Sequence, residues 1–350
     1  MTQRKILLTG AAGVVGSALL RHLDGQPVAV LAHRKPVPHP SLVGDITRPW
    51  LGLSPADYRA LAAEVEVVIH CAASVNFGAA PRTLHDINVR GTGQVLQFVA
   101  DARARLVHVS TAFIASIAAE STAAGQEPII KAYALSKQKG ESMVRESGLP
   151  ATIARVSTVI GDSMTGEIAR LQAFQYVLGA SMQGLLPFIP HLPETRVDLV
   201  PQDTVAAALL ALASADSERG EYWITAGPAA LPLPRIIDIG FEVALERLRR
   251  DPSAPKLYYE AFRPRLVEPE TYDRVMEMVF AQARAETKLG TILPQLAGLM
   301  ASYSPSVAFP TSLGQIAGGP PAPTEQVIER AVRSTCIHLS SLPKDVWSYI

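Results

Sequence analysis

The stretch that decides the fold is "ILLTGAAGVVGSALL", residues 6–20, in which three glycines stand in a G-x-x-G-x-x-G frame between a predicted strand and a predicted helix. In such a turn, backbone amides approach a pyrophosphate where a Cβ atom would obstruct them, and the start of the helix adds partial positive charge. The spacing differs from G-x-G-x-x-G, and the alternative interpretation is a turn that only packs. We predict a dinucleotide-binding turn that includes Gly10, Gly13, Val14, Val15 and Gly16.

The sequence that follows the turn repeats the same alternation. Short β-branched or aliphatic runs are separated by longer amphipathic stretches, which is typical of a parallel sheet covered by helices. The predicted strands are "KILLTG", "VAVLAH", "VEVVIHCAA", "RLVHVSTAF" and "ATIARVSTVI", and the predicted helices lie near residues 14–24, 55–63, 81–100 and 132–147. We therefore predict an α/β fold, a doubly wound parallel Rossmann sheet with a smaller, mainly helical C-terminal substrate domain.

The alternation changes after Ile160, where helical periodicity and then a proline-rich loop begin. Residues 197–228 return to a strand, helix and strand pattern, so we predict that the two domains are interleaved. The predicted dinucleotide-binding Rossmann domain contains residues 1–165 and 197–228, and the predicted substrate-binding region contains residues 166–196 and 229–350.

Composition limits the classes of partner. The 350 residues include 32 lysines and arginines and 32 aspartates and glutamates, so no net charge would attract nucleic acid or an anionic membrane. Cys71 and Cys336 have neither metal-ligand nor redox spacing, which suits a reducing cytosol. The longest apolar run, residues 205–215, is too short to span a bilayer. We expect a cytoplasmic protein with a small-molecule substrate and no metal, nucleic-acid partner or membrane anchor.

The end of the second predicted strand bears on the choice of cofactor. NAD-binding sites usually carry an acidic residue there, which accepts a hydrogen bond from the ribose 2′-hydroxyl. This chain instead has "VAVLAHRKP", with His33, Arg34 and Lys35. Cations suit the 2′-phosphate of NADPH, and Arg34 is the predicted ligand. The alternative is that these cations only solvate the end of a strand.

A second candidate for the adenosine half of the cofactor site is "VGDIT", residues 43–47. Asp45 in this loop would accept a hydrogen bond from the adenine amino group, with Ile46 beside it. Asp45 is equally well explained as a turn residue.

The stretch "YALSKQKGE", residues 133–141, places a tyrosine and a lysine one helical turn apart. A phenol with a pKa near 10 is a poor acid at neutral pH unless a nearby cation stabilises its phenolate. Lys137 would supply that charge to Tyr133, although such pairs are also common on exposed helices. "RLVHVSTAFIAS" ends a predicted strand with Ser110 and Thr111, where ligands of a parallel sheet bind. We predict a catalytic set of Thr111, Tyr133 and Lys137.

Several motifs, in this order, resemble those of extended short-chain dehydrogenases/reductases: "TGAAGVVG", "VIHCAASVNF", "INVRGTGQVL", "VSTAFI" and "YALSKQKGE". The resemblance covers residues 5 to about 230. Within that group, "HCAASVNF", "STAF", "RVSTVIGDSMTGE" and "VDLVPQDTVA" are most similar to fatty acyl-CoA reductases and to the thioester reductase domains of nonribosomal peptide synthetases and carboxylic acid reductases.

The resemblance implies NADPH as the hydride donor and roles for further residues. It implies that the backbone of Cys71, Ala72 and Ala73 lines the cofactor, and that Val156 and Ser157 meet its carboxamide. Asn88 would orient a helix or a bound water near the lysine; the alternative is a helix cap. The chain departs from many relatives at Phe113, where they have tyrosine, and at Ser157, where they have proline.

The resemblance favours an NADPH-dependent reductase that converts an acyl thioester to an aldehyde, with a second hydride giving the alcohol. The chain contains no adenylation or carrier domain, so we expect the acyl group to arrive on a separate carrier protein or on coenzyme A. A second interpretation is a nucleotide-sugar epimerase or dehydratase, although Ala112 and Phe113 follow Thr111 where a dehydratase needs an acid. A third is a sensor that binds NADP(H) without turnover.

Two groups of residues bear on substrate delivery. Cations near the C-terminal third would meet an acidic carrier helix or a coenzyme A phosphate, or they only form a solvated face. They are Arg247, Arg249, Arg250, Lys256, Arg263 and Arg265. Apolar side chains in residues 171–190 would line an acyl pocket or belong to the core. They include Phe174, Tyr176 and Phe188.

Overall fold

The computed structural model describes residues 5–23, 25–118, 130–214, 219–250, 263–272, 274–275, 308–343 and 346. Of the residues considered above, Lys256 lies outside these ranges.

A seven-stranded sheet forms the centre of the molecule, and all of its neighbouring strands are parallel. In chain order the strands are β1 (Lys5–Thr9), β2 (Val28–Ala32), β3 (Ser41–Val43), β4 (Val65–His70), β5 (Arg105–Thr111), β6 (Ala151–Val156) and, later in the chain, β11 (Glu221–Ile224). Their spatial order is β11-β6-β5-β4-β1-β2-β3. The strand order reverses between β1 and β4, where a doubly wound sheet opens a crevice at its carboxyl edge. The predicted fold class is confirmed.

Alternation of side chains along each strand gives the sheet two apolar faces. On β1, Leu8 belongs to one core cluster and Leu7 to another. The first face is covered by α1 (Val14–His22) and α7 (Gln202–Ala213), and the second by α2 (Pro55–Glu64), α4 (Gly91–Ala102) and α5 (Lys131–Glu146). Both faces are therefore buried, as a parallel sheet requires.

A second core lies in the C-terminal half of the chain. It joins helices α6 (Ala173–Met182), α8 (Leu233–Arg250) and α9 (Glu325–Ser341) around fully buried residues such as Ile189, Val332 and Cys336. Three short strand pairs border it. They are β7 (Thr158–Ile160) with β10 (Leu199–Pro201), β9 (Arg196–Val197) with β12 (Leu231–Pro232), and β8 (Phe188–Pro190) with β13 (Arg265–Val267).

The outer edge of β11 is covered by a segment that precedes α9, residues 308–316, which we call the C-terminal strap. Ser312 exchanges two hydrogen bonds with Trp223, since its N–H donates to the Trp223 carbonyl (2.8 Å) and its hydroxyl accepts from the Trp223 N–H (2.9 Å). Leu313 and Ile316 of the strap are buried in the core beside α7. The strap thus protects an edge strand that would otherwise present unpaired backbone groups.

Two predicted elements differ from those observed. The run 151–160 is not one strand, because it divides at Ser157 and its second part, β7, pairs with β10 outside the main sheet. The predicted helix 81–100 contains a short α3 (Pro81–Leu84), then a π-helix (His85–Arg90), and only then α4. A π-helical turn inside a helix often marks a functional position. Among the described helices, none has the length and apolar character needed to cross a membrane.

Candidate active site

The glycine-rich turn connects β1 to α1 at the carboxyl edge of the sheet. Gly10 has φ +75°, and a Cβ atom there would lie 2.5 Å from the Ala72 nitrogen, so only glycine fits. Gly13 is the N-cap of α1; it supplies no side-chain cap, and the first turn carries no acid. A Cβ on Gly16 would collide with the Gly10 carbonyl. The start of α1 therefore approaches the turn closely and keeps its amide groups free for an anion.

The side chains next to this turn pack rather than line it. Val14 is buried in the core beneath α1 and Val15 is half-buried, so their contribution to a cofactor site would come from the backbone.

The residues predicted to bind the adenosine half lie beyond β2 and β3. His33, Arg34 and Lys35 are exposed. Asp45 accepts hydrogen bonds from the Thr47 N–H (2.9 Å) and hydroxyl (2.7 Å). Burial alone would raise the pKa of Asp45. The hydrogen bonds from Thr47 and the nearby basic side chains together have a larger effect in the opposite direction, so the pKa of Asp45 lies below its ordinary value. Asp45 is therefore an ionised turn residue.

The second carboxylate oxygen of Asp45 faces two basic side chains. It lies 3.7 Å from His33 Nε2 and 3.5 Å from Arg48 Nε. Ile46 points the other way and packs against Gly91 at the start of α4. The structure thus brings Asp45 next to His33, and Arg34 follows His33 directly in the chain.

Thr111, Tyr133 and Lys137 meet at the carboxyl end of β5. Tyr133 and Lys137 lie one turn apart on the buried face of α5, and all three residues are buried. Lys137 Nζ donates a 2.8 Å hydrogen bond to the Val109 carbonyl, two residues before Thr111 on β5. Burial raises the pKa of Tyr133 to about 12, while hydrogen bonding with Thr111 acts in the opposite direction. The two hydroxyls are therefore neighbours, and the ammonium is anchored to the strand that carries one of them.

Burial sets the proton affinity of the lysine. It lowers the pKa of Lys137 to about 8, against the opposing effect of Glu141 and, to a lesser extent, Cys71. Glu141 is fully buried on the same helix, one turn further on. A group whose pKa lies near the working pH can hold or release a proton at little cost.

Asn88, on the π-helix, joins two parts of the site. Its Oδ1 accepts from the Ser74 N–H (2.8 Å), and its Nδ2 donates to the Ser74 carbonyl (3.0 Å) and to Ser136 Oγ (2.9 Å). Ser136 precedes Lys137 on α5. Asn88 therefore fixes the loop after β4 against the helix that carries the lysine, and it does not act as an N-cap.

The loop after β4 runs beside the glycine-rich turn. The Ala72 N–H donates to Thr9 Oγ1 at 3.3 Å, and the Cys71 N–H donates to the Thr9 carbonyl at 3.3 Å. Burial raises the pKa of the Cys71 thiol to about 12, with Lys137 opposing the shift. Cys71 is consequently a neutral thiol. Ala73, two residues further along the same loop, is half-buried.

Val156 and Ser157 lie at the end of the adjacent strand. Val156 pairs with Thr111 in the register of β5 and β6, and the Ser157 N–H donates to the Ile224 carbonyl at 3.2 Å. Asp198 caps the backbone of Ala226 and Gly227, each at 2.8 Å. Val156 is therefore level with the catalytic candidates along the sheet edge.

Aromatic side chains surround the phenol. Tyr133 belongs to a small apolar cluster with Phe113, and the Phe77 ring lies 5.3 Å from the Tyr133 ring, centroid to centroid. Phe309 of the C-terminal strap contacts Phe113 edge-on at 5.8 Å and stacks on Trp223 at 6.2 Å. Phe309 could not be predicted from the sequence, because nothing local links a residue in a proline-rich loop to Phe113, which follows β5 nearly 200 positions earlier.

The residues proposed for substrate delivery do not gather at this site. Phe174 is buried in the second core, and Tyr176 and Phe188 are half-buried near it. Arg263 forms an ion pair with Asp238, while Arg265 is exposed on β13. Arg247, Arg249 and Arg250 are exposed at the end of α8. Within the described ranges, no cluster of three or more His, Cys, Asp or Glu side chains has the arrangement of a metal site.

Comparison with known proteins accords with this geometry. A family of NAD-binding domains described as "Male sterility protein" matches residues 34–209, about half of the chain. The chain belongs to this family. The resemblance to extended short-chain dehydrogenases/reductases is thereby confirmed, and the chain is an oxidoreductase-type domain with an NAD(P)-binding Rossmann fold.

Similar proteins come from large biosynthetic enzymes. The hybrid PKS-NRPS synthetase poxE of Penicillium oxalicum is 29% identical over 246 residues, which is 61% of this chain and 6% of the synthetase. A linear gramicidin synthase protein of Brevibacillus parabrevis is 33% identical over 199 residues, or 46% of this chain and 4% of that protein. The chain thus spans a small fraction of the length of these relatives.

A solved structure with the same fold is the terminal R domain from the myxalamid PKS-NRPS biosynthetic pathway. It has a TM-score of 0.71 and 22% sequence identity, and the alignment covers 98% of this chain and 92% of that one. The R domain of a nonribosomal peptide synthetase from Mycobacterium tuberculosis has a TM-score of 0.66 and 20% identity, with 96% and 92% covered. In both cases the shared feature is the fold.

Proposed function

We propose that this member of the male-sterility-type NAD-binding family is an NADPH-dependent reductase of acyl thioesters. The observation that carries the proposal is the hydrogen bond between the Thr111 hydroxyl and the Tyr133 phenol at the carboxyl end of β5, with the Lys137 ammonium bound to the Val109 carbonyl of the same strand. The relatives named as PKS-NRPS synthetases and R domains support the choice of substrate class.

The residues at the carboxyl edge fit a nicotinamide dinucleotide. The turn has no Cβ atom at Gly10, Gly13 and Gly16, the start of α1 offers amide groups without a side-chain cap, and the exposed basic residues Arg34 and Lys35 follow β2. We propose that Gly10, Gly13, Val14, Val15 and Gly16 hold the pyrophosphate through their backbone. Arg34 would bind the 2′-phosphate, and Asp45 and Ile46 would border the adenine. Nearer the nicotinamide, the proposed contacts are Cys71, Ala72, Ala73, Asn88, Val156 and Ser157.

In the proposed reaction the bound nicotinamide supplies a hydride to the carbonyl carbon. Thr111 and Tyr133 donate hydrogen bonds to the carbonyl oxygen and stabilise the negative charge that develops on it. Tyr133 then transfers its proton to that oxygen. Because burial raises the phenol pKa to about 12, Tyr133 holds its proton before the reaction, and the Lys137 charge stabilises the phenolate that remains.

With a thioester substrate, this step gives a hemithioacetal. Its collapse breaks the C–S bond, and the products are an aldehyde and the free thiol of the carrier or of coenzyme A. A second hydride, from a second NADPH, would reduce the aldehyde to an alcohol by the same proton transfer, once the Tyr133 phenolate has regained a proton from solvent. We propose that the acyl group is delivered on a carrier protein, and a solved structure of the same fold, a thiolation-reductase di-domain from an archaeal non-ribosomal peptide synthetase, supports this choice.

We also propose the domain division expected from the sequence. Residues 1–165 and 197–228 would bind the cofactor, and residues 166–196 and 229–350 would bind the acyl substrate. The second core, built from α6, α8 and α9, supports this division, because it is separate from the two faces of the sheet.

The experiment that tests this proposal follows nicotinamide absorbance with an acyl-carrier thioester, an acyl-coenzyme A, a free aldehyde or a nucleotide sugar. Net NADPH oxidation by a thioester or an aldehyde is expected. Tyr133→Phe should lower the rate by roughly 10²–10⁴-fold, since the proton donor is lost. Tyr58→Phe is the matched control, because the Tyr58 hydroxyl donates to Asp101 on α4 at 2.8 Å and takes no part in the proposed site.

Other outcomes would replace the proposal. Conversion of a nucleotide sugar without net change in cofactor would identify an epimerase. Tight NADPH binding without turnover of any substrate would instead favour a protein that senses NADP(H). A Tyr133→Phe variant with an unchanged rate would remove the phenol from the mechanism.

The choice of NADPH has its own test. Arg34→Glu should lower the ratio of activity with NADPH to activity with NADH by about tenfold or more, because a carboxylate would repel the 2′-phosphate. Arg59→Glu, on the exposed face of α2, is the control for a change of surface charge. An unchanged ratio in Arg34→Glu would refute the assignment of Arg34.

A further inference from the structure

Beneath the candidate catalytic residues lies a row of buried polar side chains that the proposed mechanism does not use. Thr9, His70 and His108 occupy equivalent positions on the adjacent strands β1, β4 and β5. Residues paired in this way point to the same face of the sheet. That face is the one covered by α4 and α5, and each of the three residues is at most 1% exposed.

Part of this row is already hydrogen bonded. Thr9 Oγ1 lies 2.8 Å from His70 Nδ1 and accepts from the Ala72 N–H. The imidazole rings of His70 and His108 are 5.4 Å apart, centroid to centroid. Among the described residues, however, His70 Nε2 and both ring nitrogens of His108 have no hydrogen-bond partner. Buried polar atoms are rarely left in this state, and a buried water commonly supplies the missing bonds.

The row ends at the lysine. α5 packs on His108 at a glycine, Gly140, where a Cβ atom would lie 3.6 Å from His108 Nε2. Gly140 stands three residues after Lys137 and therefore on the same side of α5. Lys137 donates to the Val109 carbonyl, the residue next to His108. His108 thus lies beside the strand residue that Lys137 contacts, and the Lys137 charge acts on its imidazole.

Both imidazoles are neutral. Burial, with a smaller effect of the Lys137 charge, lowers the pKa of His70 to about 3. The same two causes, with His70, lower the pKa of His108 well below its ordinary value. A neutral imidazole carries one donor and one acceptor nitrogen, so it can receive a hydrogen bond on one side and pass one on from the other.

We propose that His108 and His70 form a buried hydrogen-bond relay with Thr9 that positions Lys137. In this relay, Lys137 donates toward His108, and His108 donates toward His70, each across a buried water. His70 Nδ1 then donates directly to Thr9 Oγ1. The proposed direction runs away from Lys137, because an ammonium group only donates and each water passes on to the next acceptor the hydrogen bond that it receives. The two histidines are positioning residues, and this role rests on Lys137 being the catalytic lysine of the proposed function.

The groups that face Lys137 determine what the relay does. They are His70 on β4, Cys71 on the following loop, His108 on β5 and Glu141 on α5 itself. Cys71 and the two histidines are neutral, whereas Glu141 is paired with Arg145 and Arg155. The relay therefore adds acceptor atoms around the ammonium without adding charge, which partly replaces the water lost on burial.

The first test uses the protein without cofactor or substrate. Nuclear magnetic resonance of nitrogen-15-labelled histidine distinguishes the protonated from the unprotonated ring nitrogen. We expect His70 to carry its proton on Nδ1 and to stay neutral at pH 6. A proton on Nε2 instead would reverse the direction of the chain and overturn the relay.

The second test measures the lysine. In protein labelled at lysine Cε, with the Lys137 signal assigned by its loss in Lys137→Met, the pKa of Lys137 should fall by about one unit in His108→Phe, since the acceptor is removed. His108→Gln, which keeps a donor and an acceptor, should restore most of the shift. If His108→Phe does not fold, the same measurement is made on His70→Phe, in which the pKa of Lys137 should also fall.

An unchanged Lys137 pKa in the phenylalanine variants would refute the relay. Because neither measurement involves turnover, this result would leave the proposed reductase activity untouched. Conversely, the absence of activity toward every thioester would not alter the histidine tautomers. The failures of the two proposals are therefore distinguishable.

Discussion

Lys137 carries an ammonium group inside the protein, and at the scale of single residues it shows how burial governs this site. Its pKa of about 8 is lower than that of a solvated lysine because desolvation outweighs the attraction of Glu141. Tyr133 shifts in the opposite direction, since burial disfavours the phenolate. At neutral pH the pair therefore consists of a charged ammonium and a protonated phenol, the state that carbonyl reduction requires.

A stability measurement follows from the lysine pKa. Between pH 8 and pH 10.5, the unfolded chain binds a proton that the folded protein has released, so the folded state gains stability as pH rises through this window. Lys137→Met lacks this dependence. Relative to Lys137→Met, the parent should gain about 3 kcal/mol in free energy of unfolding across the window, as measured in urea at each pH. Lys139→Met, on the exposed face of α5, is the control, and parallel curves for parent and Lys137→Met would contradict the expectation.

The same pKa predicts the alkaline limb of the proposed reduction. Since the mechanism uses the ammonium form, kcat/KM should fall as pH rises above about 8, while the phenol stays protonated. Lys137→Arg should move this limb to higher pH, whatever its effect on the maximum rate, because a guanidinium does not lose its proton. If kcat/KM falls at the same pH in the parent and in Lys137→Arg, the fall must reflect the titration of another group.

The sequence identified the catalytic candidates because their chemistry is local. Tyr133 and Lys137 are one helical turn apart, and the strand that ends at Thr111 is recognisable from its aliphatic run. The buried row was not identified, since the alignment of Thr9, His70 and His108 depends on the register between strands that are far apart in sequence. Burial, which sets the pKa values, is likewise a property of the packed structure.

At the scale of elements, a charge cluster joins α5 to the strands beside it. Glu141 on α5 is fully buried and accepts from Arg155 Nε (3.1 Å) and Nη2 (2.8 Å) on β6, and from Arg145 Nη2 (2.6 Å). Arg155 Nη2 also donates to Glu221 on β11 at 2.6 Å, and its guanidinium lies 4.9 Å from the centroid of the Trp223 ring. The helix that carries Tyr133 and Lys137 is thereby fixed to two strands of the sheet.

Removing the buried carboxylate should be costly. Glu141→Ala leaves Arg155 with its charge largely buried and one fewer partner, so we expect a loss of about 3–5 kcal/mol in the free energy of unfolding. Glu64→Ala removes the exposed ion pair with Lys5 and should cost less than about 1 kcal/mol. Urea denaturation of the two variants measures the contrast. Equal losses in the free energy of unfolding for the two variants would mean that Glu141 does not fix α5 to the sheet.

The C-terminal strap gives a second prediction at this scale. Phe309→Ala removes a ring that packs on Phe113 and Trp223, so we expect a loss of about 1–3 kcal/mol in stability, less than for a fully buried phenylalanine. In the proposed reductase, KM for the acyl substrate should also rise, because the apolar cluster around Tyr133 loses one wall. Leu185→Ala, at an exposed apolar residue, is the control. If Phe309→Ala is as stable as the parent and has the same KM, the C-terminal strap does not contribute to the acyl site.

Individual elements were predicted unequally well. The helices that begin near residues 14, 55 and 132 and the first four aliphatic strands were found from periodicity and composition. The short strand β3 was missed, since its three residues carry no distinct pattern. The break at Ser157 was missed as well, because the residues on both sides are β-branched and aliphatic, and only the tertiary structure assigns them to different sheets.

For the whole molecule, the parallel sheet places the glycine-rich turn, the loop after β4 and the end of β5 at one edge. A ligand bound there contacts several strands at once, so its binding energy should stabilise the entire sheet. At about 100 times its Kd, NADPH is expected to raise the free energy of unfolding by about 2.7 kcal/mol. Thermal unfolding with and without cofactor measures this effect.

Two separate glycines with positive φ provide the variants for the cofactor-dependent unfolding experiment. Gly10→Ala combines a left-handed φ with a collision at Ala72, and we expect it to abolish the cofactor-dependent stabilisation. Gly148→Ala introduces the same kind of strain, at φ +64° with no atom within 4 Å, and should keep the cofactor effect. Retention of the effect in Gly10→Ala would argue against the dinucleotide site at this turn.

The position of Phe309 in the chain has a consequence for the order in which the protein is assembled. The ribosome adds Thr111, Tyr133 and Lys137 well before Phe309, the aromatic residue that packs on the cluster around Tyr133. The same holds for the core residues of α9. During synthesis, the growing polypeptide therefore carries the candidate catalytic side chains before their apolar cover, and a chain truncated before Phe309 would lack part of the aromatic cluster around Tyr133.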